Sequence, residues 1–152
     1  MADRGRPSTA SSTIDNDHEH KNTIMYRLLL TAATMIVATL TAFAQVSNVS
    51  ADEAKKLITS TKNIQVLDVR TPEEWKGGHL AMAKHINVSD ADFAAKAAKL
   101  DTSKPIVVYC AAGGRSSRAA ALLASKGFKT VYNVTNGGYA QLAATGLPTS
   151  TK

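Results

Sequence analysis

Pro105-Ile106-Val107-Val108-Tyr109-Cys110-Ala111-Ala112-Gly113-Gly114-Arg115-Ser116-Ser117 is the stretch that decides the fold. Ile106, Val107 and Val108 are β-branched and run unbroken into Tyr109, the pattern of a strand covered on both faces and therefore central in its sheet. A turn of small residues follows, then a helix predicted over Ser116 to Lys126 and closed by Gly127, a residue type common just past a helix end. The same alternation extends outward in both directions. Upstream, Ser50 and Glu53 have the spacing of a capping box with Ala54, Leu57 and Ile58 behind them, which predicts a helix over 51–59. Ile64 to Val69 reads as a strand, and Pro72 to Lys76 as a short helix with proline and acids in its first turn, stopped by Gly77-Gly78. His85 to Val88 reads as a short strand and Ala91 to Leu100 as an alanine-lysine helix. Downstream, Thr130 to Val134 is a strand, and Gly137-Gly138 lead to a last helical turn ending at Gly146. The expected class is α/β, a mostly parallel central sheet with helices on both faces. Ligands of such sheets bind beyond the carboxyl ends of the strands. Two polar segments reach that edge: Asp68-Val69-Arg70, and Cys110 with the residues after it.

Organisation follows from composition. Arg27, the apolar run Leu28 to Ala44 and the small-x-small ending Ala42-Phe43-Ala44 read as a signal peptide over 25–44, cut after Ala44. This predicts a periplasmic or secreted domain over 45–152. The run is roughly 17 residues and contains Thr31, Thr34, Thr39 and Thr41, which is short and weak for a membrane span; an uncleaved anchor through 28–44 is the competing reading. Residues 1–24 form a polar leader expected to be disordered. Because a signal peptide rarely carries such a leader, translation is expected to begin at Met25. His18-Glu19-His20 in that leader is read as solvated rather than as a metal site.

The chain has 18 basic and 12 acidic residues, net +6. Four basic residues (Arg4, Arg6, Lys21, Arg27) and four acidic ones (Asp3, Asp15, Asp17, Glu19) precede Gln45, so the whole excess lies in the domain. Its lysines are scattered, with no basic tract and no aromatic interleaving, which argues against nucleic-acid binding and leaves a mild attraction for small anions. A domain of about 100 residues excludes a large multidomain enzyme.

The chemistry centres on the single cysteine, Cys110. A lone cysteine makes no internal disulfide, so the domain depends on its core. Ala111, Ala112, Gly113 and Gly114 let the backbone curl tightly with its N–H groups turned inward. The start of the following helix adds its positive end, and Arg115 and Arg118 add full charges, although Arg118 reads equally as a solvated helix residue. A thiol so placed has its pKa lowered from ~8.5 to roughly 3.5–7.5 and needs no adjacent base; none stands beside Cys110. Sulfur transfer, phosphoryl transfer and arsenyl chemistry all suit such a thiolate. Loop length disfavours the phosphatase and arsenate reductase reading, because cysteine phosphatases show C-x5-R whereas Cys110 to Arg115 is C-x4-R. No metal and no cofactor is implied.

Three segments together resemble the single-domain rhodaneses, the thiosulfate sulfurtransferase family, over about residues 50–148. They are Leu67 to Trp75 with Gly78-His79-Leu80 and Ile86-Asn87-Val88; the loop Tyr109 to Ser116; and Asn133 with Gly137-Gly138. The resemblance implies a rhodanese-like domain in which Cys110 takes sulfane sulfur from an anionic donor such as thiosulfate and passes it to cyanide or a thiol. It implies that Ala111, Ala112, Gly113, Gly114, Arg115 and Ser116 bind substrate and persulfide. Asp68 and Arg70 are read as supporting residues, Asp68 accepting loop hydrogen bonds and Arg70 pairing with a carboxylate such as Glu74. His79 is read as structural and Trp75 as core. The chain departs from the family pattern at Met82, where glycine is usual, and at Leu142, where an aromatic is frequent; both imply local repacking. A non-enzymatic persulfide carrier is the alternative function. Expected partners are the small donor and acceptor, with a redox or sulfur-acceptor protein as a further one, and the expected state is a monomer.

Overall fold

A computed structural model describes residues 45–152. The leader, the apolar segment 25–44 and His18-Glu19-His20 lie outside the described residues. Strands β1 (Gln45–Val49), β2 (Gln65–Asp68), β4 (Lys84–His85), β5 (Ile106–Tyr109) and β6 (Thr130–Val134) form one sheet in the order β1-β6-β5-β2-β4. Every pairing in it is parallel. β5 is the middle strand and all four of its residues are buried, as its sequence requires. β3 (His79–Leu80) and β7 (Thr149–Ser150) make a separate antiparallel pair that ties the end of the domain to the segment before β4.

Helices α1 (Ala51–Ser60), α2 (Pro72–Lys76), α3 (Phe93–Ala97), α4 (Gly114–Ser125) and α5 (Tyr139–Ala144) complete the chain. Side chains of successive strand residues point to opposite faces, and β5 shows the consequence. Ile106, Val108 and Cys110 join Phe93, Ala97, Ala119, Ala120 and Leu123 in one core layer under α3 and α4. Val107 and Tyr109 join Ala54 and Leu142 in the other, under α1 and α5. Burial of side chains the size of Leu123 or Leu142 contributes about 1.5–3 kcal/mol each. This two-sided core fixes β5 rigidly and sets the position of whatever follows it.

The capping box of α1 is present: Glu53 N donates to Ser50 Oγ and Ser50 N to Glu53 Oε2 (3.3 and 2.8 Å). Three boundaries shift from expectation. The His85 strand is only Lys84–His85, α3 is a five-residue helix rather than the ten-residue one expected, and α4 starts at Gly114 rather than near Ser116. Trp75 is a correction: α2 buries no residue, and Trp75 stacks on His79 and His85 (ring centroids 3.4 and 4.9 Å) instead of entering either core layer. The two stacked imidazole rings hold the indole at the surface of the domain, half-buried. Met82 is 40% exposed while Leu142 is fully buried, so the two departures differ: one lies at the surface and the other is absorbed in packing. No helix among the described residues is long and apolar enough to cross a membrane.

Candidate active site

β5 delivers Cys110 to the carboxyl edge of the sheet, and β2, its parallel neighbour, delivers Asp68 and Arg70 to the same edge. Between Tyr109 and α4 the chain has only four residues in which to reverse. Gly113 makes this possible by taking φ +96°, a left-handed conformation that costs a residue with a side chain about 1–2 kcal/mol. That twist turns the Gly113 N–H toward the sulfur, to which it donates at 3.1 Å. The Ser116 hydroxyl lies 3.6 Å from Sγ. Ala111, Ala112 and Gly114 are exposed, whereas Gly113 and Ser116 are buried. The small loop residues therefore leave the approach to the sulfur free of large side chains.

Cys110 is itself 2% exposed. Burial pushes its thiol pKa up, but the Ser116 amide and hydroxyl and the amides of Ala112 and Gly113 outweigh it, and the net direction is down. The sulfur thus sits in an apolar layer with its open side toward converging N–H groups, the condition under which a thiolate is stabilised.

Arg115 forms a two-pronged ion pair with Glu74 of α2, Nη1 to Oε2 at 2.6 Å and Nη2 to Oε1 at 2.8 Å. The guanidinium holds the Glu74 carboxyl at about 2. Glu74 in turn raises Arg115, and a negative charge on the nearby Cys110 sulfur adds to that effect. Arg115 therefore stands beside the sulfur with its planar fork fixed by a carboxylate.

This corrects the expected pairing of Arg70. Arg70 binds Asp68, with Nη2 to Oδ2 at 2.6 Å and Nε to both oxygens, and the Arg70 amide also donates to Asp68 Oδ1. Two residues apart at the end of a strand, the side chains share a side, whereas Glu74 is carried away by the turn into α2. Both members are buried. Arg70 also donates to Gly78 O at 2.6 Å and lies over the Tyr139 ring at 4.2 Å. Asp68 therefore accepts from Arg70, and the pair braces the floor of the edge rather than touching sulfur.

Gly138 belongs to the site for a steric reason. A Cβ there would overlap the carbonyl oxygens of Cys110 and Ala111, and Tyr139 N donates to Cys110 O at 2.9 Å. The paired glycines after β6 are the sequence signal for this close approach. His79 is buried, with Nδ1–H donating to Trp75 O at 3.0 Å, and is a structural residue. Arg118 is exposed and lines a cleft with Val88, Asp90 and Phe93 on the flank of α4.

Known proteins of similar sequence and fold place the chain in a family. A thiosulfate sulfurtransferase of Pseudomonas aeruginosa, GlpE, is 42% identical over 74 residues, covering 48% of this chain and 64% of that protein. This match spans less than two thirds of the relative's length. Among solved structures, a rhodanese-like domain from Anabaena sp. superposes with TM-score 0.61 at 30% identity, covering 69% of this chain and 79% of the other. The homodimeric polysulfide-sulfur transferase of Wolinella succinogenes gives TM-score 0.57 at 32% identity, covering 78% of this chain and 88% of that one. The model of the rhodanese-like domain matches residues 50–145, from the capping serine of α1 to the end of α5. By fold and sequence, the chain belongs to the rhodanese-like domain family.

Proposed function

We propose that the protein is a sulfurtransferase whose Cys110 thiolate carries the transferred sulfur. The thiolate attacks the outer sulfur of thiosulfate or a similar anionic donor. A bond forms from Sγ to that sulfur, the donor's S–S bond breaks with its electron pair, and sulfite leaves. The persulfide Cys110–S–S⁻ then hands its outer sulfur to cyanide or a thiolate, and the Cys110 thiolate returns. This is covalent catalysis in two half-reactions. The loop amides and the Ser116 hydroxyl would hold the terminal sulfur anion, and Arg115 would draw the anionic donor while Glu74 limits its reach.

One observation carries this reading: the Gly113 N–H aimed at Sγ from a left-handed glycine. The relatives' printed activities, thiosulfate sulfurtransferase and polysulfide-sulfur transferase, support sulfur as the cargo. Intact-mass analysis after thiosulfate exposure tests it. The wild type gains one sulfur and Cys110→Ser gains none; a wild type that gains none from thiosulfate or polysulfide refutes the reading. Steady thiocyanate formation from thiosulfate and cyanide identifies an enzyme, whereas one loading followed by poor turnover identifies a carrier. We also propose export through the apolar segment 28–44, tested by sequencing the N-terminus of the protein recovered from its native cells. An N-terminus at Gln45 supports cleavage, and an intact one contradicts it.

A further inference from the structure

The hydrogen bonds beneath the active loop run in one direction. Asn133, on β6, is 1% exposed. Its Nδ2 donates twice, to Asn48 Oδ1 on the neighbouring edge strand β1 and to Ser117 Oγ on α4, both at 2.9 Å. Its own Oδ1 is buried and meets no partner among the described residues. Leaving a buried acceptor unfilled is costly, so whatever use this amide has lies in its donor half. Ser117 Oγ, already accepting from Asn133, has one proton to give. It gives it to Gly113 O at 2.8 Å.

Gly113 O also receives the Ser117 amide at 3.0 Å and the Ser116 hydroxyl at 2.9 Å. It is therefore oversupplied with donors, and one of them can leave without orphaning it. Only the Ser116 hydroxyl is near the sulfur. Resting on the reading of Cys110 as a thiolate nucleophile, we propose that Asn133 and Ser117 are positioning residues. The amide forces the Ser117 proton onto Gly113 O, and this frees the Ser116 proton to turn from Gly113 O to the sulfur anion.

The donor chain begins at β1. Asn48 presents its oxygen to Asn133, which meets it with its NH2 end. Were Asn133 reversed, Ser117 would donate back to it and Gly113 O would retain the Ser116 proton. The same bonds hold the Gly113 carbonyl in place, and with it the left-handed turn that aims Gly113 N–H at Sγ. The edge strand, far along the chain from Cys110, thus takes part in setting the state of its sulfur.

The test is the pH profile of Cys110 alkylation by iodoacetamide, measured on the full chain for wild type, Ser117→Ala, Ser117→Thr and Asn133→Ala. Ser117 is exposed, so its variants stay folded even where Asn133→Ala does not. Ser117→Ala slows alkylation on the acid side of the profile roughly threefold to tenfold, the range for one lost hydrogen bond, and leaves the alkaline plateau unchanged. Ser117→Thr keeps the hydroxyl and follows wild type. Asn133→Ala shifts in the same direction, and the double variant shifts no further than the larger single one. A Ser117→Ala profile that superimposes on wild type overturns the proposal, as does Ser117→Thr behaving like Ser117→Ala. Thiosulfate loading by mass keeps the two readings separate. A wild type that loads sulfur while Ser117→Ala is unshifted sinks the positioning role alone. A wild type that never loads, with Ser117→Ala shifted, sinks sulfur transfer and leaves the positioning role standing.

Discussion

The starts of α2 and α4 are joined by the Glu74–Arg115 pair, yet they treat their free backbone amides in opposite ways. At α2, Thr71 Oγ1 accepts from Glu74 N, and Glu74 Oε2 accepts from Thr71 N. That capping box is the usual way to satisfy N–H groups that have no partner inside the helix. At α4 the capping position is Gly113, which has no side chain to offer. The amide there goes to Cys110 Sγ instead. One helix start uses its amides for stability, and the other reserves them for a sulfur anion. Fold strength at α4 is recovered elsewhere, in the buried Ala119, Ala120 and Leu123 and in the Glu74–Arg115 tie.

This contrast can be broken at its centre or at its margins. The largest effect is expected from Cys110→Ser, which abolishes sulfur loading by mass while leaving the far-ultraviolet spectrum of the fold intact. Next comes Gly138→Ala, whose added carbon meets backbone oxygens that cannot yield. Thermal or urea unfolding should show a loss at or above the ~1–3 kcal/mol typical of overpacking, together with reduced Cys110 reactivity. Gly113→Ala is expected to cost about 1–2 kcal/mol for the left-handed strain, again with slowed alkylation, because the amide turns from the sulfur. Ser50→Ala removes the cap of α1 and is the control: about 1 kcal/mol in unfolding, with Cys110 reactivity unchanged.

The smallest effect concerns Glu74. Its carboxyl lies at about 2 in the fold against an ordinary 4.5. The contribution of the pair to stability is therefore full above pH 4.5 and fades as pH falls through 2. Because both side chains are partly solvent-exposed, it amounts to less than about 1 kcal/mol. Unfolding curves of wild type and Glu74→Gln should differ by that small amount at neutral pH and converge toward pH 2. Released from Glu74, Arg115 should also alter the KM for thiosulfate more than kcat. A Glu74→Gln variant with unchanged pH dependence and unchanged KM would remove Arg115 from the comparison.

Much of this arrangement is legible in the residues, for definite reasons. β5 announces itself because a strand buried on both faces needs an unbroken apolar run, and the loop after it because two glycines and two alanines follow a cysteine. The cap of α1 is local chemistry within four residues. β1 is not legible: in Gln45 to Val49 only Val49 is buried, as an edge strand permits, so no apolar pattern marks it. β3 and β7 are two residues each and exist only through their partner. Gly113 and Gly114 read as loop, although Gly114 already lies in α4, because glycine propensity conceals a helix whose first turn needs no side chain. The partner of Arg70 is hidden for a geometric reason: helical spacing favours Glu74, but Arg70 sits at a strand end, where spacing of two favours Asp68. The donor chain from Asn48 through Asn133 to Ser117 links three elements distant in sequence, so only the fold brings it together.

The amides left uncapped at α4 lower the pKa of Cys110 despite its burial. Titration of thiolate ultraviolet absorbance, taken as wild type minus Cys110→Ser, measures this directly. The expected midpoint lies clearly below the ~8.5 of a free thiol. A midpoint at or above that value would mean that burial outweighs the amides, and would contradict it.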